Sequence, residues 1–525
     1  MEIACVRHDV IPGTSALFAD YLYHFDRVER FFAYPPFEDR SFDAAAARVQ
    51  YPEERRRQVI EALRSINPGS EGLERLAKPG TLAVVTGQQV GLFGGPVYTL
   101  YKTLTAVRLA RQLTERGIDA VPVFWAATED HDLEEVDHAW VFNQAGRPTN
   151  LEVHAANGGR PVGRIPLPQL PLSELREGLE GLPYASEVVA LVERSYRPGG
   201  TFGECFLELF RQIVDGLGVA VVDPLVSPLR SVMAPFLVAA MKRLPDMRAG
   251  LFERDRELAE AGYHAQVNLE ADSSLLFLLE DGRRMALRQR NGNFATKERE
   301  YTADQLSARG QDLSPSALLR PVLQDYLLPT VAYVGGPAEL AYLAQSRVIY
   351  DQMLGRMPVL VPRQSWTLLD GREAKLAKRY GLELTDLFDP RDRVLKRIAA
   401  RLVPAGLTEQ FRDARTAAQS ALEGLRNKLT GFDPTLEASA GKSQAKILYQ
   451  LEKLERKTAR ERLRRDERAQ QEADCLIDAV YPHRHLQERL YSMLPFLAKF
   501  GIDLPQRLLH FSQQVCPDHL VRILD

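Results

Sequence analysis

The chain has 525 residues, which is too many for one hydrophobic core, so about two to four domains are expected. A net charge of −3 argues against a general affinity for nucleic acid, and no apolar run is long enough to span a membrane. The start of the chain has no basic segment followed by an apolar one, so we predict no secretory signal. The chain has four scattered cysteines without a CxxC pair, namely Cys5, Cys205, Cys475 and Cys516. This spacing argues against a disulfide framework or a zinc site, and we therefore predict a cytoplasmic protein.

Residues 1–142 are predicted to be the first part of an α/β core. After a mainly helical stretch, residues 82–85 are short, apolar and β-branched, as in a buried parallel strand. A loop at 87–95 with four glycines follows, then a helix that begins at Pro96 and ends at Gly117, then a second buried strand at 121–126. Such a βαβ unit places both loops at the carboxyl edge of the sheet, where doubly wound folds bind ligands.

Two kinds of chemistry are expected at this edge. The glycine loop and the amino end of the following helix favour anions such as phosphate, although neither GxxxxGK[ST] nor GxGxxG is present. The acidic loop at 129–132 supplies carboxylates and an imidazole for amine recognition or general base catalysis. The alternative for the glycines is a tight turn that serves only packing, but the presence of both loops favours an enzyme. A metal site is the less favoured use of the acidic loop, because His131 and His138 are too far apart for an HExxH arrangement.

The core is predicted to be interrupted twice. Residues 143–214 form an inserted lobe, residues 215–267 return to the core, and residues 268–317 form a small β insertion with a hairpin at an Asp-Gly turn. Residues 318–375 are the third part of the core, in which a strand at 330–334 ends in Gly335 and Gly336 before a helix. Arg320, Gln324 and Asp325 are polar residues among apolar ones, so they form either a structural hydrogen-bond network or a binding site.

Residues 376–480 are polar and helical. Apolar residues at heptad-like spacing and a turn at 431–434 predict an antiparallel coiled-coil hairpin that pairs with another subunit. The second helix of the hairpin is basic, which is typical either of a phosphate-binding surface or, as we favour, of a solvated face balanced by acidic residues. Residues 481–525 are apolar enough to return to the core.

Several motifs are distributed over nearly the whole chain, and some of them are long enough to be specific for one protein family. They are Thr86-Gly87-Gln88-Gln89, Gly91-Leu92-Phe93, Gly95-Pro96-x-Tyr98, Lys102, Phe124-Trp125, Glu129-Asp130-His131-Asp132, Arg320-Pro321, Gln324-Asp325, Tyr333-Val334-Gly335-Gly336, Glu339, Pro362-Arg363-x-Ser365 and Leu486-Gln487-Glu488-Arg489. With these motifs the sequence resembles the bacillithiol biosynthesis cysteine-adding enzyme family.

The resemblance implies an α/β fold with a Rossmann-like parallel-sheet core, similar to class I aminoacyl-tRNA synthetases and nucleotidyltransferases. It also implies small connecting-peptide lobes and a long antiparallel coiled-coil hairpin that forms a homodimer. The HxGH and KMSKS motifs of those synthetases are absent. The implied reaction joins the carboxylate of cysteine to the glucosamine amine of glucosaminyl-malate, the last step to bacillithiol. Because an amide forms in water only from an activated acyl group, we expect ATP with Mg²⁺, and activation as either an adenylate or an acyl phosphate.

Site residues follow from the same motifs. We predict catalytic roles for Lys102, Glu129, Asp130, His131 and Asp132. Lys102 or Arg320 is expected to meet the malate carboxylates or developing negative charge. Substrate or nucleotide binding is predicted for Thr86, Gly87, Gln88, Gln89, Gly91, Phe93, Gly95, Tyr98, Trp125, Arg320, Gln324, Asp325, Tyr333, Gly335, Gly336 and Glu339.

No firmly bound metal, nucleic-acid partner or membrane partner is predicted. One competing interpretation is a degenerate nucleotide-binding protein that recruits partners through its coiled coil. The polar groups that remain in both glycine-containing stretches favour an enzyme instead. A second competing interpretation is an amino-acid-activating enzyme that acts on RNA. The acidic net charge and the lack of a basic, aromatic-bearing groove argue against it.

Overall fold

A computed structural model describes residues 3–290, 292–512 and 516–524. Residue 291, within the predicted β insertion, and residues 513–515 and 525, within the predicted C-terminal segment, lie outside this part of the chain. Among the described residues the strands are β1 (Ile3–Val6), β2 (Leu82–Gln88), β3 (Ala120–Ala126), β4 (His138–Phe142), β5 (Pro148–Glu152), β6 (Ala220–Val222), β7 (Ser273–Glu280), β8 (Arg283–Arg290), β9 (Asn293–Ala295), β10 (Glu300–Tyr301), β11 (Leu313–Pro315), β12 (Thr330–Gly335), β13 (Val359–Pro362), β14 (Ser365–Asp370) and β15 (His519–Leu524).

The helices connect and cover these strands. Over the same residues they are α1 (Ala16–Tyr23), α2 (Asp39–Ala47), α3 (Glu53–Leu63), α4 (Glu71–Leu76), α5 (Tyr98–Glu115), α6 (Leu172–Gly178), α7 (Ala185–Ser195), α8 (Phe202–Ile213), α9 (Ser227–Lys242), α10 (Leu244–Glu260), α11 (Ala303–Ala308), α12 (Arg320–Leu327), α13 (Pro337–Met353), α14 (Gly371–Arg379), α15 (Arg391–Arg401), α16 (Ala405–Phe432), α17 (Leu436–Arg464), α18 (Glu467–Val480), α19 (Gln487–Leu490), α20 (Leu494–Phe500) and α21 (Leu504–Phe511).

The central sheet is parallel, with the order β13-β12-β2-β3-β6. When these five strands are numbered in chain order and the sheet is read from β6 to β13, the order is 3-2-1-4-5. This is the order of a Rossmann fold, so the predicted core is confirmed. Successive residues of β2 pack on opposite faces: Ala83 and Val85 belong to one apolar cluster, whereas Leu82 and Val84 belong to another. Helices cover both faces, which explains why β2, β3 and β12 are apolar along nearly their whole length.

The two predicted interruptions have structure of their own. The first contains β5 and helices α6 to α8. Strand β4, which was predicted to belong to the core, pairs with β5 instead of the central sheet. The apolar side chains of this lobe share one core with Phe124 of β3 and with helices α20 and α21. The second is a five-stranded sheet of order β10-β9-β8-β7-β11, in which β7 and β8 form a hairpin with Asp281 and Gly282 between them at positive φ. A glycine at the second position fits the type of hairpin turn that the sequence predicts.

A three-stranded sheet of order β1-β15-β14 was not predicted. Residues 1–80 were expected to be mainly helical, yet β1 pairs antiparallel with β15, and β15 pairs parallel with β14. The sheet packs with α14, α15, α18 and the base of α17 in a separate apolar cluster. Short strands of this kind are specified by partners far away in the sequence, so local pattern alone does not reveal them.

The predicted helical hairpin consists of α16 and α17, which have 28 and 29 residues and pack against each other. At 1.5 Å per residue each helix is about 42 Å long. Within the described chain no residue of α16 is fully buried, because the hairpin projects from the remainder of the protein. Among the described residues, no helix combines the length and the apolar character that crossing a membrane requires.

Candidate active site

A cavity of about 640 Å³ lies at the carboxyl ends of β2, β3 and β12. Strands β2 and β12 are neighbours in the sheet, but the chain leaves them toward opposite edges. Such a switch point leaves a crevice between the two loops that follow the strands, and it is where open α/β folds bind their ligands. The volume is within the usual range for a small-molecule site.

Twelve of the residues selected from the sequence line this cavity. They are Gly87, Gln88, Gln89, Tyr98, Lys102, Trp125, Glu129, Asp130, His131, Arg320, Gly336 and Glu339. They come from both glycine-containing loops and from the acidic loop, so the fold brings together motifs that are more than 200 residues apart in sequence.

Nine of the selected residues lie outside the lining. They are Thr86, Gly91, Phe93, Gly95, Asp132, Gln324, Asp325, Tyr333 and Gly335. Asp132 is exposed. Thr86 is buried within the sheet, where its hydroxyl donates to the Val334 carbonyl at 2.9 Å. Gly335 is the last residue of β12.

The second half of the glycine loop packs against the C-terminal segment. A Cβ at Gly94 would lie 3.0 Å from the methyl carbon of Met493, and the Val97 N–H donates to the Tyr491 carbonyl at 2.8 Å. Helix α5 begins at Tyr98, two residues after the predicted Pro96. Residues 94–97 are therefore covered by protein, whereas Tyr98, the first residue of α5, lines the cavity.

Lys102 and Glu339 form a buried ion pair at the cavity. The ammonium group also donates to the Gly87 carbonyl and to Gln88 Oε1, both at 2.9 Å. Burial pushes the pKa of the Glu339 carboxyl up, but the adjacent Lys102, the Tyr333 hydroxyl and the Gly336 N–H bring it below its usual value. Glu339 is therefore a carboxylate at neutral pH.

Arg320 is positioned by a hydrogen-bond network on its far side. Its guanidinium donates to Gln324 Oε1 at 3.1 Å and to the Tyr342 hydroxyl at 2.9 Å. Gln324 donates in turn to Asp325, whose other oxygen accepts from Tyr350. Gln324 and Asp325 thus lie behind Arg320, and the structure places them in the structural network that the sequence left as one alternative.

The acidic loop divides into a structural and an accessible part. Glu129 is buried against Arg230, with Oε1 2.5 Å from the guanidinium, and Arg230 also donates to the carbonyls of Gln311 and Leu313. In contrast, Asp130 is partly exposed, and Gln89 Nε2 donates both to its Oδ2 at 2.7 Å and to Glu135 Oε2 at 2.6 Å. One amide therefore holds two carboxylates next to each other at the cavity.

The protonation of His131 follows from its partner. Arg284, in the β insertion, lies with a guanidinium nitrogen 3.0 Å from His131 Nδ1. Because arginine only donates, Nδ1 must accept and the ring proton must be on Nε2. Burial, together with the Arg284 charge, lowers the pKa of His131, so its imidazole is neutral at physiological pH.

Four further charged residues of the lining were absent from the predicted site: Glu135, Arg284, Arg363 and Arg489. Arg363 and Arg489 are in quoted motifs, whereas no local pattern points to Arg284. We refer to Lys102, Arg320, Arg363 and Arg489 as the cationic wall. The Arg489 side chain is exposed, and the described residues provide its guanidinium with no hydrogen-bond or ion-pair partner.

Two buried polar atoms of the lining also have no hydrogen-bond partner within the described residues. These atoms are the indole nitrogen of Trp125 and the hydroxyl oxygen of Ser316. Buried polar groups are nearly always paired, and leaving one unpaired costs about 1–3 kcal/mol. Both residues line the cavity, where a ligand or a water molecule can supply the missing partners.

Comparison with known proteins identifies the family. Residues 1–364 match the family model described as "Bacillithiol biosynthesis BshC, N-terminal Rossmann-like domain", and residues 366–524 match "Bacillithiol biosynthesis BshC, C-terminal coiled-coil domain". The chain belongs to the bacillithiol biosynthesis BshC family. The resemblance read from the motifs is thus confirmed, as are the Rossmann-like core and the coiled coil. The boundary between the matches means that Arg489 comes from the second domain of the family.

Relatives of the chain align with nearly its whole length. A protein of Solibacter usitatus is 50% identical over 100% of both chains. One of Koribacter versatilis is 37% identical over 98% of this chain and 99% of its own, and one of Salinibacter ruber is 31% identical over 94% and 93%. Each carries the name "Putative cysteine ligase BshC", which agrees with the predicted ligase class.

Proposed function

We propose that the protein is a ligase that forms an amide between the carboxylate of cysteine and the glucosamine amine of glucosaminyl-malate. The observation that supports it is a single cavity lined both by the cationic wall and by the paired carboxylates of Asp130 and Glu135. A substrate with an ammonium group and two carboxylates matches both sets of charges. The names of the relatives support cysteine as the acyl donor.

The amine is bound and deprotonated by the acidic residues. Asp130 and Glu135 each accept one hydrogen bond from Gln89 and keep further lone pairs for the ammonium. We assign the base to Asp130, which takes one proton from the ammonium so that the nitrogen lone pair can attack the carbonyl carbon of the activated cysteine. The activating phosphate or AMP group leaves with the C–O bond electrons, and the second nitrogen proton passes to solvent. Glu129 is already neutralised by Arg230, and the Nδ1 lone pair of His131 is used by Arg284. His131 therefore acts as a donor through Nε2–H.

The malate carboxylates are bound at the cationic wall. All three hydrogens of the Lys102 ammonium are used within the protein, since it contacts Gly87, Gln88 and Glu339. Arg363 and Arg489 are better suited to direct contact, because an arginine fork can bind a carboxylate through two hydrogen bonds. Lys102 and Arg320 contribute positive potential from behind.

We propose ATP as the second substrate, because an amide forms in water only from an activated acyl group. Helix α13, with 17 residues, begins at the cavity after Gly336, and its first turn is capped by Glu339, which accepts from the Gly336 N–H at 2.8 Å, so a phosphate would bind beside this end rather than on it. A Cβ at Gly336 would lie 3.5 Å from both Arg363 Nε and Glu339 Oε2, so glycine keeps this part of the cavity open. When bound, ATP supplies the activation that makes the cysteine carboxylate an acyl donor.

Product analysis tests the proposal. Purified protein is mixed with glucosaminyl-malate, cysteine, ATP and Mg²⁺, and thiol and nucleotide products are identified by mass. Cysteinyl product with AMP supports an adenylate, and product with ADP supports an acyl phosphate. A folded protein that forms no product under these conditions contradicts the proposal.

Replacing Asp130 with asparagine is expected to lower the rate of amide formation by about 10²- to 10⁴-fold, because the amide cannot take the proton. Binding of ATP, measured by calorimetry, is expected to stay within a factor of about three. Glu134→Gln is the control, since Glu134 is exposed in the same loop and lies outside the lining. Asp130→Asn with unchanged turnover would exclude Asp130 as the base.

We also propose that the hairpin forms a homodimer. Ile447 and Leu454 of α17 are 43% and 53% exposed, and Leu425 of α16 is 53% exposed. Ile447 and Leu454 are seven residues apart and so lie on one side of the helix, whereas Leu448 and Leu451 are partly buried. Exposed apolar side chains at heptad spacing are typical of a coiled-coil interface.

Placing glutamate at both Ile447 and Leu454 is expected to weaken the dimer by at least about 100-fold, because two charges would be buried in an apolar contact. Sedimentation velocity over a concentration series measures the shift to monomer. Ala445→Glu, at an exposed position on the opposite side of the helix, should leave the dimer intact. A double variant that sediments like the unaltered protein would place the interface elsewhere.

A further inference from the structure

Arg363 depends on a single carboxylate for its position. It follows β13 directly, its side chain is 5% exposed, and its guanidinium is 2.6 Å from Glu488 Oε1. The guanidinium carbon lies 5.3 Å from the centre of the Tyr98 ring, and both side chains line the cavity. The weaker contact of Arg363 with the Gln364 carbonyl, at 3.4 Å, leaves Glu488 as its main partner.

Glu488 is itself held from three directions. Its side chain is completely buried, and Oε1 accepts from Arg363 and from the Ser365 hydroxyl at 2.8 Å. Oε2 accepts from the Trp366 N–H at 3.1 Å. These partners flank β13 and belong to β14, so the carboxylate of α19 is fixed relative to the edge of the central sheet.

The network continues away from the cavity with a defined direction. His519 Nδ1 is 2.6 Å from Ser365 Oγ, and His519 Nε2 is 2.8 Å from Thr367 Oγ1. The Ser365 hydroxyl has one proton and donates it to Glu488, so its oxygen accepts from His519 Nδ1–H. His519 therefore orients Ser365, and Ser365 orients Glu488.

Helix α19 also provides the adjacent Arg489. Glu488 points to the interior and neutralises Arg363, whereas the next residue reaches the cavity with an exposed guanidinium. Both residues lie in the part of the chain that matches the second domain of the family. The first domain alone would leave Arg363 without its main partner and the cationic wall without Arg489.

We infer that Glu488 is a positioning residue, which holds Arg363 in the orientation that binds a carboxylate of the substrate, with Ser365 and His519 as its supports. The inference rests on the proposed function, because it assigns the cationic wall to the malate part of glucosaminyl-malate. The second domain then contributes to substrate binding as well as to subunit pairing.

The test compares Glu488→Gln with the unaltered protein. Glutamine keeps the shape but removes the charge, so Arg363 is no longer held by an ion pair. We expect KM for glucosaminyl-malate to rise about tenfold or more and kcat to change less. With methyl glucosaminide, which has no malate carboxylates, the two proteins should have the same KM. The double variant Glu488→Gln/Arg363→Gln should bind glucosaminyl-malate no more weakly than Arg363→Gln alone.

A matched control separates positioning from stability. Glu373→Gln removes another buried carboxylate, one that pairs with Lys499 at 2.7 Å and lies outside the cavity lining. It should lower Tm without changing KM. Should Glu488→Gln fold poorly, Ser365→Ala provides the second variant, and it is expected to raise KM by a smaller factor.

Binding of L-malate, measured by calorimetry, distinguishes this inference from the proposed function. Weaker L-malate binding by Glu488→Gln but not by Glu373→Gln supports the positioning role even where no product forms. Equal L-malate binding and equal KM for Glu488→Gln and the unaltered protein would overturn it. A change in Tm alone, as for Glu373→Gln, would also overturn it and leave Glu488 a structural residue.

Discussion

Replacing Lys102 with methionine is expected to lower the free energy of unfolding by about 3–5 kcal/mol and to reduce product formation below detection. Lys102 is 3% exposed and provides the positive charge next to Glu339. Without it, Glu339 would be an uncompensated buried charge, which is far more costly than the absence of both charges. Gly87 and Gln88 would also lose the donor that holds the first glycine loop.

The double variant Lys102→Met/Glu339→Gln distinguishes stability from activity. Removing both charges should restore most of the free energy of unfolding, measured with urea, because no isolated charge remains. It should not restore product formation, since the cationic wall has lost one of its members. An active double variant would show that the pair serves the fold alone.

Lowering the pH is expected to reduce the free energy of unfolding already between about pH 6.5 and 4, above the range in which most carboxylates titrate. Burial lowers the pKa of His519 to about 3 and that of His8 to about 4. For His519, Glu488 acts against this shift, whereas His8 and Arg363 add to it. For His8, Glu488, Asp518 and Asp9 act against it and Arg363 adds to it. The unfolded chain, with an ordinary pKa of about 6.5, therefore binds protons that the folded protein does not.

The sign of the effect follows from this difference in bound protons. Above about pH 6.5 both states are neutral at these histidines, so they cause no pH dependence. Between about pH 6.5 and 4 each of them lowers the free energy of unfolding by about 1.4 kcal/mol per pH unit. For His519 alone the loss at pH 4.5 is therefore on the order of 3 kcal/mol.

Urea unfolding at pH 7.0, 5.5 and 4.5 measures this loss. His519→Gln should show a smaller decrease over the same range, because glutamine does not titrate. His24→Gln, at an exposed position, serves as the control and should decrease like the unaltered protein. Equal decreases in all three proteins would exclude His519 as a source of the acid sensitivity.

The sequence predicted those parts of the site that are built from adjacent segments. Residues 82–132 contain a strand, helix and strand whose loops meet at one sheet edge, and this arrangement depends on local pattern and on the handedness of the crossover. Lys102, Asp130 and His131 are found at the cavity for this reason. The second stretch, ending in Gly336 and Glu339, joins them because parallel strands share their carboxyl edge.

Other features depend on contacts that local pattern does not contain. Arg284 reaches His131 only because the β insertion packs over the crevice, and this contact changes which nitrogen of His131 has the proton. Gly91, Phe93 and Gly95 resemble a ligand loop in sequence, yet residues near Met493 pack on that loop. In both cases the deciding partner is more than 100 residues away.

The pairing of β1 with β15 has a kinetic consequence. Val6 lies opposite His519, so 513 positions separate two residues that must meet before this sheet exists. Contacts between such distant segments form slowly, because the chain loses much entropy before it gains the contact. His519 supports Ser365 and Glu488 only from within that sheet. During refolding we therefore expect the pairing of β1 with β15, and with it the support of Glu488, to be among the later contacts to form.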